Sequence, residues 1–281
     1  MKEERPLKRI LVPVDGSASS LIAEETGAKI AKKTGASITV LHVMQEATFD
    51  YTLPRSVQDE LLGHIEQRGQ DIINKASALF KEEKVEVDAE TFSGNPANDI
   101  LDFSRSGFDL IVMGACGEHE KDTCVLGSVT KKVIRHTTCP TLVAKQVSSL
   151  SNMLVCTDGS EHALRALDFA AKLAEKMSSK IVLLHVQGEK LHKVSPKTAK
   201  DLGRKILSKT ARVLGKRKVK IDRKLEFGVP ANVIVDFAEK GNHDLIVLGR
   251  RGLGPIDRFL LGSVSDDVSH KAKCSVLIIP P

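Results

Sequence analysis

Ile10-Leu11-Val12-Pro13-Val14-Asp15-Gly16-Ser17 is answered 143 residues later by Met153-Leu154-Val155-Cys156-Thr157-Asp158-Gly159-Ser160. Each is an apolar run that stops at Asp-Gly-Ser, the composition of a buried strand followed by a turn and a helix cap. Leu41-His42-Val43 returns as Leu184-His185-Val186 at the same offset. The register then shifts to offsets of 134 and 135, where Gly94-Asn95-Pro96-Ala97-Asn98 matches Gly228-Val229-Pro230-Ala231-Asn232 and Asp109-Leu110-Ile111-Val112-Met113-Gly114 matches Asp244-Leu245-Ile246-Val247-Leu248-Gly249. The first copy has the longer middle segment, around Gln45 to Pro54. Self-similarity in this order marks a duplicated domain.

Within each copy, short β-branched runs alternate with amphipathic helical stretches. Copy one reads as strands near 8–14, 37–43, 85–92, 108–113 and 140–145, with helices near 18–34, 56–83, 96–106 and 127–137. Copy two reads as strands near 152–157, 180–186, 219–226, 244–248 and 274–279, with helices near 161–177, 197–215, 230–240 and 263–271. Most of these strands are continuous apolar runs, as expected when helices cover both faces of a sheet. The predicted fold is therefore α/β: two tandem, doubly wound, five-stranded parallel-sheet domains of Rossmann-like type. The expected domains are 1–146 and 152–281, joined by the serine-rich linker 147–151. The last strands, Thr141-Leu142-Val143-Ala144 and Val276-Leu277-Ile278-Ile279, would leave apolar sheet edges. Pairing them within the chain would hide both, giving an intramolecular pseudo-dimer.

After the fourth strand of copy two comes Gly249-Arg250-Arg251-Gly252, then nine residues, then Gly262-Ser263 at a helix start. Copy one has Gly114-Ala115-Cys116-Gly117, nine residues, then Gly127-Ser128. Glycines let the backbone approach a ligand closely, and the N–H groups and dipole of a helix N-terminus attract phosphate. Ligands of open parallel sheets also sit beyond the strand C-termini at a topological switch point. No G-x-x-x-x-G-K-[S/T] segment occurs, which disfavours a P-loop enzyme. Both loops match the G-x-x-G, nine residues, G-[S/T] pattern of ATP-binding universal stress proteins, a family that the sequence resembles along nearly its whole length.

The resemblance implies a universal stress protein-type fold and an adenine-nucleotide site in each copy. In copy two it assigns Asp158 and Val186 to the adenosine part, and Gly249, Gly252, Gly262, Ser263 and Val264 to ribose and phosphates. Their counterparts in copy one are Asp15, Val43, Gly114, Gly117, Gly127, Ser128 and Val129. The competing reading makes these glycines tight-turn residues and the serines helix caps. The implied ligand is ATP, with AMP and cyclic AMP left open, and Mg²⁺ would arrive with the nucleotide. Self-association in the family further implies a homodimer.

The two loops differ in charge. Copy two carries Arg250, Arg251 and Arg258 against Asp257, which suits a polyphosphate, whereas copy one carries Glu118, Glu120 and Asp122 against Lys121. Like charge beside phosphate is unfavourable by about 1 kcal/mol per pair at 4 Å in water, and by more in a partly buried site. Copy two is therefore expected to bind ATP more firmly than copy one.

With 41% apolar and 28% charged residues, the chain of 281 residues has the composition of a soluble globular protein. Its N-terminus, Met1-Lys2-Glu3-Glu4-Arg5, lacks a secretory core, and no apolar run reaches the ~18 residues of a membrane span. A cytoplasmic location is expected. Residues 1–146 hold 18 basic and 22 acidic residues, a net of −4, and the remainder 24 and 14, a net of +10. Much of that excess lies in Lys190 to Lys224, which has no aromatic residue for base stacking, so a solvated face is favoured over a nucleic-acid surface. The five cysteines show no disulfide-scaffold spacing and are expected to be reduced. Cys116, His119 and Cys124 lack a paired Cys-x-x-Cys signature, so no zinc site is expected, although an exposed loop thiol is open to oxidation. His42 and His185 read as satisfied core histidines.

No Ser-His-Asp set or general base stands out for phosphoryl transfer. The functional expectation is a nucleotide-binding stress-response switch acting on a protein partner. A weak Mg-dependent ATP hydrolase and a nucleotide-independent interaction protein remain the alternatives.

Overall fold

Apolar runs bounded by turn residues form the central strands, which are buried, whereas the strands at 87–94 and 221–227 are polar and largely exposed. A computed structural model describes residues 7–45, 54–117, 125–215, 217, 219–252 and 261–281. The chain divides into two compact units, Met1–Val133 and Ile134–Pro281.

The first unit begins with β1 (Arg9–Pro13), α1 (Ala18–Thr34), β2 (Ser37–Gln45) and α2 (Arg55–Glu82). It continues with β3 (Val87–Gly94), α3 (Pro96–Phe103), β4 (Leu110–Gly114) and α4 (Ser128–His136), within which the division falls. Its strands run parallel, β1 lying between β2 and β4, and β2 between β1 and β3. Ile10, Leu11, Val12, Ile38, Val40, Leu110, Ile111 and Val112 are fully buried, and Phe80 of α2 closes over them. The chain moves outward from β1 to β2 and β3, then returns to the other side of β1 for β4. The C-terminal ends of β1 and β4 are thus the switch point at which a doubly wound sheet opens a crevice.

The second unit holds β5 (Thr141–Ala144), β6 (Asn152–Cys156), α5 (Glu161–Met177), β7 (Lys180–Gln187), α6 (Glu189–Val194) and α7 (Pro196–Ala211). There follow β8 (Ile221–Phe227), α8 (Pro230–Lys240), β9 (Leu245–Gly249), α9 (Ser263–Lys271) and β10 (Ser275–Ile279). Here β6 lies between β7 and β9 and β7 between β6 and β8, all parallel, while β10 runs parallel to β9. Its other edge takes β5 in antiparallel register, Leu277 opposite Leu142. The two apolar last strands therefore cover one another, as their sequences require.

Local chemistry explains the matching starts. Ser17 and Ser160 cap α1 and α5, each accepting from the amide three residues on. Gly16 at φ 81° and Gly159 at φ 84° take the left-handed turn that lets the chain leave the strand. The repeated Asp109 and Asp244 are strand tethers, their carboxylates accepting from the amides of Lys8 and Arg9 and of Ser151 and Asn152. His42 and His185 each place Nδ1 against a backbone carbonyl, Val14 at 2.8 Å and Thr157 at 2.7 Å, and both are buried. They are core histidines, as expected.

Candidate nucleotide-binding site

Strand register sets the first part of the site. Pro13 stands opposite Leu41 and Cys156 opposite Leu184, so Asp15 lies level with Val43, and Asp158 with Val186, just past the paired strand ends. Each aspartate opens a turn, Asp15 Oδ1 accepting from the Ser17 amide at 3.0 Å and Asp158 Oδ1 from Ser160 at 2.9 Å.

The glycine loops close on these turns. A methyl group on Gly114 would lie 2.7 Å from the Ser19 backbone, and one on Gly249 would lie 2.9 Å from that of His162. The first loop glycine in each copy thus has a packing reason of its own. A methyl on Gly117 would reach Asp15 Oδ2 at 3.2 Å, and one on Gly252 would run into Asp158 Oδ2. The loop returns through Gly127, which donates to Ala115 O at 2.7 Å, and Gly262, which donates to Arg250 O at 2.9 Å. Thr130 Oγ1 bonds Gly114 O, and Ser265 Oγ bonds Gly249 O and Arg250 O. Those ties hold the first turns of α4 and α9 beside the loops, with Ser128–Val129 and Ser263–Val264 at their heads. Amides in a first helical turn have no intrahelical acceptor, so this end presents donors.

In the first unit these parts enclose a cavity of about 590 Å³. All seven residues expected for copy one, Asp15, Val43, Gly114, Gly117, Gly127, Ser128 and Val129, line it. Ile65, Arg68, Gly69 and Ile72 of α2 line it as well, with Pro96 and Ile100 of α3. The α2 wall was missed in the sequence, although a signal existed. Gly69-Gln70-Asp71-Ile72 and Gly203-Arg204-Lys205-Ile206 repeat a glycine and an isoleucine one helical turn apart. Both pairs face the same groups: Gly69 and Gly203 pack against His42 and His185, and Ile72 and Ile206 against Gly16 and Gly159.

Charge is arranged differently from the expectation in copy two. Arg250 is only 6% exposed, and its guanidinium donates to Thr137 O. Burial, with Arg251 adding like charge, lowers its pKa to about 10. Arg250 is thus committed to a carbonyl at the C-terminal end of α4 and does not serve as a loop phosphate ligand. His162 is held below the usual imidazole range by burial, then by Arg165 and Arg251. In copy one, burial raises the carboxyl pKa of Glu24, with Asp15 and Glu25 adding to the effect and a hydrogen bond from Ser20 opposing it.

Cys139, Cys156 and Cys274 are buried free thiols, but Cys116 is disulfide-bonded, which corrects the expectation of five reduced cysteines. Spacing in sequence does not reveal which thiols a loop brings within bonding range. Glu118, His119, Glu120, Lys121, Asp122, Cys124, Asp257 and Arg258 lie outside the described residues, as do 46–53 of the Gln45 to Pro54 segment. Among the described residues there is no cluster of metal-binding side chains, and no helix is long and apolar enough to cross a membrane.

Two doubly wound α/β repeats, each with an Asp-Gly-Ser turn facing a G-x-x-G loop, define a class of tandem crevice proteins. The profile of the Universal stress protein family matches residues 6–145 and again 150–280, and the chain belongs to that family. A universal stress protein of Methanocaldococcus jannaschii is 34% identical over 145 residues, covering 51% of this chain and 85% of that protein. One from Mycobacterium tuberculosis is 25% identical over 299 residues and covers 99% of both chains, so the tandem arrangement recurs there. The crystal structure of a universal stress protein from Archaeoglobus fulgidus shares the fold, with a TM-score of 0.76 at 22% identity, over 97% of this chain and 98% of that one.

Proposed function

We propose that this universal stress protein binds adenine nucleotide in both copies, with ATP as the leading ligand, and works as a binding switch for a protein partner. The reading rests on one observation, that the seven motif residues of copy one line a single cavity of about 590 Å³. Small-molecule sites typically occupy about 300–1,000 Å³. The adenosine end lies by Asp15 and Val43, and the phosphates lie by Gly117, Gly127, Ser128 and the donor end of α4. In copy two the same roles fall to Asp158, Val186, Gly249, Gly252, Gly262, Ser263 and Val264. Mg²⁺ would enter with the phosphates. Homodimerisation belongs to the same reading and is measured by sedimentation with and without nucleotide.

Mass spectrometry of small molecules released from freshly purified protein tests the proposal, together with calorimetric titration of ATP, AMP and cyclic AMP. Bound adenine nucleotide, or micromolar ATP binding at up to two sites per chain, is the expected result. A chain that carries no nucleotide and gives no heat or thermal shift with any of the three would overturn it. Steady production of ADP in the presence of Mg²⁺ would replace the switch by a hydrolase.

A further inference from the structure

We infer that the open edge of β8, beneath one flank of α7, is a docking surface for an extended acidic segment of a partner protein, which joins the sheet as a further strand. The surface is separate from the nucleotide site and stands or fails without it. It gives a chemistry to the partner on which the proposed switch acts.

The edge is open. Among the described residues β8 pairs with β7 alone, from Ile221 opposite Ile181 to Phe227 opposite Gln187. The amides and carbonyls on its other side are a template for an incoming strand.

The flank above that edge is basic. Helix α7 packs on the sheet through Gly203, which meets Leu225 and His185, and it turns Ile206 to Gly159 and Thr210 to Thr157 on the β6 side. Successive residues lie about 100° apart around a helix. Lys197, Lys200 and Arg204 therefore fall on the opposite flank, over the outer edge of β8, and all three are exposed. Arg223 shares the α7 side of β8 with Leu225, two residues on, and is exposed as well. A strand added to β8 would run beneath this row and set every second side chain against it.

The charge of the row is unmatched. Elsewhere in the second unit Lys172 pairs with Asp168, Lys193 with Glu189, Lys273 with Glu239, and Arg217 with Asp168 and Glu175. Lys197, Lys200, Arg204 and Arg223 have no ion pair or side-chain hydrogen bond among the described residues. Charges that merely blunt a sheet edge sit on the edge strand. Here the strand is balanced, Asp222 and Glu226 against Arg223 and Lys224, and the excess lies on the helix above it. The repeat is an internal control: the equivalence of Gly69 with Gly203 puts Gly63, Glu66 and Gln70 where copy two has Lys197, Lys200 and Arg204. The fold does not require the basic row. Residues 190–224 hold no aromatic side chain on which a base could stack, so an acidic polypeptide fits this edge better than a nucleic acid.

The test titrates the full chain, by fluorescence anisotropy at two salt concentrations, with a labelled peptide of alternating glutamate and valine long enough to span β8. A peptide of the same composition with its glutamates in one block, and single-stranded DNA, serve as comparisons. The alternating peptide should bind best, weaken as salt rises, and slow amide hydrogen exchange in β8. Lys200→Glu combined with Arg204→Glu should weaken it at least about tenfold, from two lost pairs and the repulsion that replaces them. Glu66→Gln, at the matching place in copy one, should leave it within about twofold. The inference is overturned if the alternating peptide does not bind, if the block peptide or DNA binds as well, if β8 gains no protection, or if the double variant binds unchanged.

Discussion

Copy one buries a carboxylate where copy two buries a leucine. Ser20 and Glu24 lie on α1 at the positions of Ala163 and Leu167 on α5, and all four are buried. In copy one Ser20 Oγ donates to Glu24 Oε1 at 2.8 Å, whereas copy two fills the same volume with apolar atoms. Position 68 on α2 pairs with 202 on α7 in the same way, arginine against leucine. The order of strands and principal helices repeats, apart from the extra short helix α6 in copy two, while the chemistry beside the crevice has been redistributed. A duplicated fold keeps what the chain path needs, such as Gly16 and Gly159, and leaves the side chains around the crevice free to diverge.

The comparison breaks most sharply at the loop glycines. Gly252→Val sets a branched side chain into the Asp158 carboxylate and should abolish binding in copy two, a loss of at least about 100-fold. Gly117→Val, with a looser 3.2 Å approach to Asp15, should cost copy one less. Calorimetric stoichiometry falling from two to one in each variant supports independent sites. Loss of both sites from either change would show that the copies are not independent.

A second contrast is Lys145, whose counterpart in copy two is Pro280. Its ammonium donates to Ser269 O and Ala272 O, both at 2.7 Å, at the C-terminal end of α9. Lys145→Met should destabilise the second unit by about 2 kcal/mol, from the loss of hydrogen bonds made by a charged group. Urea unfolding followed by amide exchange in α9 checks this, and an unchanged midpoint would contradict it.

Converting Ser20→Ala and Glu24→Leu together writes the second copy's pair into the first. Burial raises the folded-state pKa of Glu24 above the ordinary 4.5, so the folded chain holds that proton more tightly than the unfolded chain. Stability from this group is therefore lost as pH rises from about 4.5 through the folded value. The double variant should gain on the order of 1 kcal/mol above that window and progressively less toward pH 4. Thermal unfolding across pH 4 to 8 measures the gain, and a pH-independent difference would rule out titration of Glu24 as its cause.

The smallest effect concerns thiols. Burial lifts Cys274 to about 11 and Cys156 further still. An aromatic disulfide reagent at pH 8 should label neither within minutes in the native chain, and both on unfolding. Rapid native labelling would contradict their burial.

The legible parts of the fold were those with local causes. Helix 161–177 could be placed to the residue because Ser160 caps it and an apolar stripe runs its length. The six-residue helix Glu189–Val194 was not read, having no side-chain cap and no buried residue to give it a pattern. Asp15, Gly117 and Ser128 announced themselves by their repeated spacing. Ile65 and Arg68 did not, since on α2 they look like any surface turn and only tertiary packing brings them to the cavity. Arg250 misled for the same reason: between two loop glycines it looks like a phosphate ligand, and only the fold shows its guanidinium spent on Thr137 O.

The antiparallel pairing of β5 with β10 has a practical consequence for anyone dissecting the chain. A fragment cut at the serine-rich join, beginning at Asn152, would part Val276, Leu277 and Ile278 from the strand that covers them. Such a fragment presents a sticky ribbon edge and invites oligomers of its own making. Expression of the second copy therefore calls for a start upstream of Ile134, with the final strand of the first copy carried along as a built-in chaperone.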